Sequence, residues 1–307
     1  MERWSCAISA PDATYAPSAG DRGAVEAAIG RVRDQSTADL PEPVGSAVRY
    51  ALSGGGKRLR GMLVLAAYRA AGGQGDVSGI AASIEIIHAY SLVHDDLPCM
   101  DDDDMRRGRL STHRAFSVPV ATAAGAVMIP LAARVAHREA VGLRLPGSAC
   151  CTIVKVLMQG AGAGGMIGGQ LLDLAGEGRS LDRVELDSIH SAKTGALISA
   201  AVKLGGIAAG ASPERIVALD GYGQRVGLAF QIMDDVLDVT GSTDQLGKTA
   251  GRDAAMGKST YPALVGVDGA VARAESLVAE GCEGLKGQGL LTGDLSGIAG
   301  FIVSRSH

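Results

Sequence analysis

Residues 212–238 read SPERIVALDGYGQRVGLAFQIMDDVLD, and this stretch decides the fold class. It opens with Ser212, a favourable N-cap, followed by Pro213 at the first helical position and an acid in the first turn. Apolar or small residues then recur at alternating intervals of three and four: Ile216, Leu219, Gly223, Val226, Phe230, Met233 and Leu237. This period predicts an amphipathic α-helix that runs through the whole stretch.

A neighbouring face of the same helix carries acids. Four polar positions are spaced i, i+3, i+4 and i+7: Gln231, Asp234, Asp235 and Asp238. That spacing places them on one side of the helix. A solvated acidic face is the alternative, but such faces usually interleave Lys or Arg, and none occurs between Arg225 and Lys248. The stretch therefore predicts a functional acidic cluster, with Gln231 one turn below it.

Another acidic cluster, HDDLPCMD at residues 94–101, follows a second apolar helical pattern. One stripe of that helix carries His88, Ser91, Leu92 and Asp95. Pro98 should distort the helix and let Asp101 come round beside Asp95. An EF-hand does not fit, because the central glycine and the twelfth-position glutamate are missing. A solvated charged loop is the remaining alternative.

Two acidic clusters that face each other would hold hard cations. Carboxylate oxygens suit Mg²⁺, which keeps part of its water shell and binds through one or two carboxylates plus substrate phosphates. The pooled acids therefore predict a phosphorylated ligand.

Basic residues in several segments could grip the anionic oxygens of such a ligand. A glycine turn at 54–56 precedes Lys57 and Arg60, where backbone N–H groups and a guanidinium fork can approach phosphate, although the spacing is not that of a Walker loop. Further basic residues follow the two acidic clusters: Arg106, Arg107, Lys248 and Lys258. Each of these two lysines, taken alone, is more often a surface residue.

The segment before the long helix carries a second start signal. Asp182 and Glu185 form a capping box that predicts a helix running towards Lys193-Thr194-Gly195. Gly195, followed by renewed helical periodicity, indicates either a break that exposes Lys193 and backbone groups to a ligand or a plain packing kink.

Composition supports a helical chain. The 307 residues are 47% apolar, 20% charged and only 3% aromatic, and no series of alternating β-runs occurs, so we predict an all-α bundle with a flexible tail at 1–20 and one helical domain at 21–307. The 44 glycines require close packing or locally broken helices as compensation. A GxGxxG pattern at 160–165 matches the dinucleotide fingerprint only weakly, because further βαβ units are missing.

Charge and cysteine content narrow the location and partners. A net charge of −4 gives no general basic surface for nucleic acid. The chain has no uninterrupted apolar run of membrane length and no leader pattern, so we expect a cytoplasmic protein without a membrane partner. The five cysteines lack paired spacing, which argues against a disulfide framework or a structural zinc site.

Six ordered motifs together resemble the trans-isoprenyl diphosphate synthases over residues 25–307. They are GGGKRLR at 54–60, HDDLPCMD at 94–101, RRG at 106–108, GGQLLD at 168–173, KTG at 193–195 and DDVLD at 234–238. The resemblance implies an isoprenoid synthase-type helical bundle around a central cavity, usually a homodimer. It also implies Mg²⁺-dependent condensation of isopentenyl diphosphate with an allylic diphosphate.

The same resemblance implies roles for individual residues. Asp95, Asp101 and Asp234 would bind three Mg²⁺ ions, supported by Asp96, Asp235 and Asp238. The allylic diphosphate would contact Arg106, Lys193, Lys248 and Lys258. Isopentenyl diphosphate would contact Gly56, Lys57, Arg60, His88 and Arg107. The allylic cation would form beside Thr194, Gln231 and the Lys193 carbonyl region, whose oxygen dipoles can stabilise positive charge, so Lys193, Thr194 and Gln231 are the predicted catalytic residues.

Product length should depend on the cavity depth below Asp95. Tyr90 lies one and a half turns earlier and could form a floor. An aromatic there, with Ser91 beside it and the Pro98-Cys99 insertion, resembles bacterial farnesyl diphosphate synthases, so a fifteen-carbon product is predicted, with geranylgeranyl diphosphate as the alternative. Arg252 and Ala126 depart from the family pattern, which affects the helix wall rather than the metal ligands.

Two other functions share part of this pattern. A terpene cyclase also ionises an allylic diphosphate, but its second metal motif normally contains Asn, Ser or Thr and Glu. A regulatory subunit of a prenyl synthase tends to have lost Asp ligands, and here none is missing.

Overall fold

The computed structural model describes residues 18–241 and 258–304, and this part of the chain is almost wholly helical. The first half contains α1 (Ala19–Gln35), α2 (Val44–Leu52), α3 (Leu59–Ala70), α4 (Ser78–Asp95), β1 (Met105–Arg106), β2 (Arg109–Leu110), α5 (Thr112–Ala115) and α6 (Val118–Gly142). The second half contains α7 (Gly147–Ala161), α8 (Met166–Gly176), α9 (Arg183–His190), a π-helix (Ser191–Gly195), α10 (Ala196–Ala208), α11 (Pro213–Thr240), α12 (Tyr261–Lys286) and α13 (Gly293–Ser304). The predicted all-α class is confirmed.

Within the described residues, the β-strands form one short hairpin. β1 and β2 pair antiparallel, with Met105 opposite Leu110 and Arg106 opposite Arg109. The hairpin directly follows the first acidic cluster. It therefore turns the chain back and carries Arg106 towards the end of α4.

The stretch that decides the fold forms α11, the central helix of the bundle. Ser212 caps it as predicted, because its Oγ accepts a hydrogen bond from the Arg215 N–H at 3.5 Å. Five of the seven seam residues are buried, Ile216 and Phe230 are partly buried, and the helix packs against α10 and α12. A Cβ atom on Gly223 would lie 2.5 Å from the Ser199 Cα, so glycine lets α10 and α11 cross closely. Close crossing is one compensation for the high glycine content.

The hydrophobic core is one continuous cluster that reaches from α1 to α13 in the described ranges. Its largest fully buried side chains include Met62, Ile84, Met128 and Leu197, which come from α3, α4, α6 and α10. The principal packed pairs are α11 with α12, α4 with α6, and α3 with α10. The π-helix lies beside the acid-bearing ends of α4 and α11, because the Lys193 charge acts on Asp95 and Thr194 bonds Gln231.

The N-terminal boundary lies close to the predicted one. α1 begins at Ala19, and Ser18 caps it by accepting the Asp21 N–H at 3.3 Å. Residues 1–17, which make up most of the predicted flexible tail, lie outside the described residues, as do Lys248 and Arg252. The division into a tail and a single domain stays a prediction.

Two helical stretches are long and apolar enough, by length and composition, to cross a membrane: Val118–Gly142 and Gly147–Gly176. Core helices of soluble proteins pass the same test. α6 buries Ala124, Met128 and Val135 in the core and packs against α4 and α7. The absence of a membrane partner and the cytoplasmic location stay predictions.

The weak dinucleotide fingerprint is excluded by the helices around it. Residues 152–157, which would have to form the preceding strand, lie inside α7. The glycines at 160–165 join α7 to α8, so the βα turn that such a fingerprint needs is not formed.

Candidate active site

Two cavities adjoin at Arg60 and His88, which line both. The first, here called the apolar cavity, has a volume of about 430 Å³ and lies between α4, α8 and the π-helix. Its walls include Tyr90, Leu92, Met100, Met166, Leu171 and Leu174, and its polar side carries Asp95, Gln170, Lys193 and Thr194. An acidic and basic rim over an apolar interior suits a ligand with a charged head and a hydrocarbon tail.

The second cavity, here called the basic cavity, has a volume of about 520 Å³. Its cationic lining comes from α1, the α3 start and the hairpin: Arg22, Lys57, Arg58, Arg60 and Arg107. Arg58 and Arg107 have left-handed backbone angles, with φ of 52° and 53°. Such angles are uncommon outside glycine and concentrate at binding sites, because surrounding contacts must hold them.

The end of α4 brings the first acids together as predicted. The helix ends at Asp95, and the chain then turns through Pro98 so that the Asp101 N–H donates to the Asp95 carbonyl at 2.9 Å. The pKa of Asp95 is raised to about 6, chiefly by burial and also by the charges of Asp101 and Asp96, against the opposing effect of Lys193 and Arg106. The acids therefore concentrate negative charge at a half-buried site, which suits a divalent cation.

Asp96 and Arg106 form a pair beside this cluster. The Arg106 guanidinium donates from Nε at 2.8 Å and also from Nη2 to the buried Asp96 carboxylate, and it contacts Asp103 at 3.1 Å. Burial raises the pKa of Asp96, although Arg106 opposes the rise. Arg106, predicted to bind diphosphate, is thus engaged with acids of its own loop in this state.

The three acids of the second cluster differ in how deeply they are buried. The Asp235 carboxylate is buried and accepts hydrogen bonds from His190 Nε2 at 3.1 Å, the Tyr261 N–H at 3.0 Å and Gln231 Nε2 at 3.4 Å. Asp238 is also buried, whereas Asp234 is half-buried. Asp235 therefore ties α11 to α9 and to the start of α12, and Asp234 is the acid of this pair with more access to a ligand.

A π-helix replaces the predicted break or kink between α9 and α10. The Asp182–Glu185 capping box is present as predicted, and the helix it starts widens at Ser191–Gly195 without leaving helical angles. π-turns of this kind often lie at functional sites. The wide turn brings Lys193 and Thr194 to the cavity wall.

Thr194 and Gln231, predicted to act together, do meet. The Thr194 hydroxyl donates to Gln231 Oε1 at 2.8 Å, which joins the π-helix to α11. A Cβ atom on Gly227 would lie only 2.5 Å from the Gly195 Cα, so glycine allows α11 to pack directly on the π-helix. Of the three predicted catalytic residues, Lys193 and Thr194 line the apolar cavity, and Gln231 is joined to it through Thr194.

The residues predicted for isopentenyl diphosphate lie around the basic cavity. Gly56 lacks the Cβ atom that would lie 2.6 Å from the Arg107 guanidinium, and Arg107 donates to the carbonyl of Gly55. The Arg60 Nε is buried and has no hydrogen-bond partner among the described residues, so it can donate to a ligand. Burial and the positive charges of Arg60 and Arg107 lower the pKa of His88 well below its usual value, which keeps the imidazole neutral.

Sequence reasoning gave no role to three polar residues of the site, although two of them belong to the GGQLLD motif at 168–173. Glu85, buried in α4, accepts the Gly61 N–H at 2.8 Å and lies 3.7 Å from Arg58 at the basic cavity. Gln170 and Asp173 share one side of α8, and Asp173 accepts Lys193 and Lys258 at 2.7 and 3.2 Å. An acid inside the apolar run of α4 and the GGQLLD motif at 168–173 were the available signals.

The acids fit Mg²⁺ in a particular way. Within residues 18–241 and 258–304, no group of three or more His, Cys, Asp or Glu side chains has metal-holding geometry by itself. Asp95 and Asp101 lie on one side and Asp234 on α11, where its charge acts on Arg60. Carboxylates that come singly or in pairs suit Mg²⁺, whose remaining positions are filled by phosphate oxygens and water.

Fold and site together define a helical protein that handles a charged head group with an apolar tail. Residues 41–282 match the family model described as polyprenyl synthetase, and the chain belongs to that family. Farnesyl diphosphate synthase of Escherichia coli is 42% identical over 86% of this chain and 90% of its own length. Geranylgeranyl pyrophosphate synthase 9 of Arabidopsis thaliana is 42% identical over 80% of this chain and 69% of its own length.

A solved structure shows the same architecture. Geranyltransferase of Helicobacter pylori, complexed with magnesium and isoprenyl diphosphate, superposes with a TM-score of 0.76 and 29% identity over 92% of this chain and 98% of its own. The resemblance drawn from the six motifs is thereby confirmed.

Proposed function

We propose that this chain condenses isopentenyl diphosphate head-to-tail with an allylic diphosphate and releases diphosphate, with farnesyl diphosphate as the product. The observation that carries the proposal is the pair of adjoining cavities, one apolar and bordered by acids, the other basic, which share Arg60 and His88. A hydrocarbon tail fits the first and a second diphosphate fits the second. The two reacting carbons would then meet where the cavities join.

The apolar cavity would receive the allylic substrate, with its diphosphate towards Asp95, Asp101 and Asp234. Bound Mg²⁺ would neutralise the departing diphosphate there, and Mg²⁺ dependence is what family membership implies; three ions are our proposal. Lys193 adds a cation that can follow the leaving group. Asp235 and Arg106 both bind protein partners. We therefore propose that Asp235 orients Asp234 and that Arg106 orients Asp96.

Loss of diphosphate breaks the allylic C–O bond and leaves an allylic cation. Thr194 and Gln231 hold oxygen dipoles beside the place where that charge develops, and their mutual hydrogen bond keeps them oriented. The isopentenyl double bond then forms the new C–C bond, and the proton it loses goes to the released diphosphate. The described residues therefore need to supply orientation and charge, not a nucleophile.

The basic cavity would hold isopentenyl diphosphate. Lys57, Arg60 and Arg107 supply cations, and Gly56 lets Arg107 lie close to the glycine turn. His88 is neutral and can donate one hydrogen bond without adding charge. Lys258 approaches from the allylic side, and Lys248, also assigned there, lies outside the described residues.

One assay separates this function from its rivals. Purified protein is incubated with Mg²⁺, isopentenyl diphosphate and, in turn, dimethylallyl, geranyl or farnesyl diphosphate, and the products are resolved by chain length. We expect elongation of the first two primers to fifteen carbons. Elongation of farnesyl diphosphate would favour geranylgeranyl diphosphate as the product, a cyclic hydrocarbon would favour a cyclase, and silence with every primer would favour a regulatory subunit.

We also propose a homodimer. From Val118 to Pro130, α6 carries small or apolar residues apart from Thr122, and it exposes Val118 with 41% of its surface accessible. Such a surface is suited to burial against a second copy. Sedimentation at equilibrium should give twice the 31.1 kDa of one chain, and a single-chain mass at all concentrations would contradict the proposal.

A further inference from the structure

Asp173 contacts two lysines from distant parts of the chain, and neither lysine is its neighbour in sequence. The Lys193 ammonium lies 2.7 Å and the Lys258 ammonium 3.2 Å from the same oxygen, Oδ2. Asp173 belongs to α8, Lys193 to the π-helix and Lys258 to the segment that enters α12. One carboxylate therefore joins three elements beside Lys193, which lines the apolar cavity.

The junction brings two ammonium groups onto one carboxylate, with a second acid further away. Burial raises the pKa of Asp173, but Lys193 and Lys258 outweigh it, so the pKa lies below its usual value and the carboxyl is ionised at neutral pH. Glu177, one turn further on, lies 3.7 Å from the Lys258 ammonium. Two ammonium groups held by a single oxygen would repel each other if the carboxylate were absent, and they would attract any other anion within reach.

We propose that Asp173 is a positioning residue that holds Lys193 and Lys258 as a stand-in anion until a diphosphate takes its place. The inference rests on the function proposed above. A diphosphate offers several charged oxygens and outcompetes one carboxylate for the two ammonium groups. When diphosphate leaves, Asp173 recaptures them, which eases release of the product and resets the site.

This role predicts the direction of a binding change. In Asp173→Asn both lysines lose the carboxylate that they share, and only Glu177, 3.7 Å from the Lys258 ammonium, remains. Inorganic diphosphate should therefore bind at least about tenfold more tightly in the presence of chelator, without Mg²⁺. Calorimetry measures that affinity directly, and it does not depend on turnover. In steady-state kinetics, KM for the allylic substrate should fall together with kcat, because diphosphate leaves more slowly.

The control is an aspartate that pairs with a lysine elsewhere. Asp220 contacts Lys203 at 2.8 Å between α11 and α10, so Asp220→Asn makes the same change in charge outside the cavity. It should leave diphosphate affinity unchanged. Asp173→Glu keeps the charge and should restore affinity towards the wild-type value. Asp173→Ser removes the charge with a smaller side chain and is measured in parallel in case the asparagine variant does not fold.

The outcomes are distinguishable. Tighter binding in Asp173→Asn or Asp173→Ser, but not in Asp220→Asn, supports the inference. Unchanged or weaker binding in the Asp173 variants overturns it and leaves Asp173 as a structural tie. A wild-type protein that binds no diphosphate, with or without Mg²⁺, would instead refute the proposed function.

Discussion

The folded protein disfavours the ionised form of the Asp95 carboxyl. Its pKa is about 6 when folded and about 4 in an unfolded chain, so between these values the folded state binds more protons. The free energy of unfolding therefore falls as pH rises from about 4 to 6. The full loss, at most about 3 kcal/mol, is present above pH 6. A bound cation would offset that cost.

We expect Asp95→Asn to raise the melting temperature of the metal-free protein at pH 7.5, and the gain to shrink towards pH 4. Thermal unfolding in chelator at both pH values measures this. Prenyl transfer should fall by orders of magnitude in the same variant. Asp104→Asn is the control, because Asp104 belongs to the same loop but is 65% exposed and pairs with Arg114 on the surface. A lower melting temperature for Asp95→Asn at pH 7.5 would contradict the electrostatic account.

Tyr90 is the residue that should limit product length. It lines the apolar cavity, is 6% exposed and meets the His94 ring edge-on at 4.9 Å between centroids. Tyr90→Ala removes the ring and deepens the cavity, so we expect products longer than fifteen carbons by chromatography. Tyr50→Ala removes a ring that packs on Phe116 and does not line the apolar cavity, so it should leave the product length unchanged. An unchanged product in Tyr90→Ala would remove Tyr90 as the floor.

The contact between α11 and the π-helix belongs to the scale of elements. Gly227→Ala would place a Cβ atom 2.5 Å from the Gly195 backbone, which cannot rotate away, so α11 and the π-helix must separate. We expect a loss of about 1–3 kcal/mol in the free energy of unfolding. Activity should fall further than stability explains, because Thr194 and Gln231 would no longer be held 2.8 Å apart.

The matched control is a helical glycine with open space around it. Gly30 lies within α1, and a Cβ atom there would meet nothing within 4 Å. Gly30→Ala should therefore stabilise the protein by about 0.5–1 kcal/mol through helix propensity alone. Denaturant unfolding of both variants measures the two effects. Equal stabilisation in both would show that the close packing at Gly227 is unimportant.

At the scale of the whole molecule, the acids of α4 and α11 depend on a ligand to connect them. The described side chains do not form a metal site by themselves, so Mg²⁺ alone should bind weakly. Mg²⁺ and diphosphate together should raise the melting temperature. At a hundredfold excess of ligand over Kd, binding adds about 2.7 kcal/mol to the free energy of unfolding. Thermal shift with each component alone and with both tests this. A full shift with Mg²⁺ alone would contradict a ligand-bridged site.

Much of the architecture was predictable because its causes are local. The period of residues 216–237, the Ser212 cap and the Asp182–Glu185 capping box each depend on neighbours within a few turns, and all three are present as predicted. The turn at Pro98 that brings Asp101 to Asp95 is equally local. The resemblance carried by the six motifs was confirmed for the same reason, since each motif is a short continuous segment.

The partners of the site residues were decided by tertiary structure. Asp173 meets Lys258 across 85 positions, and Asp235 meets His190 across 45. The sequence alone determined a helical bundle with two acidic clusters and the polar residues that accompany them. Which acids face a ligand and which are engaged by protein donors followed only from packing, because helix periodicity orients a side chain about its own axis and does not choose the neighbour that it meets.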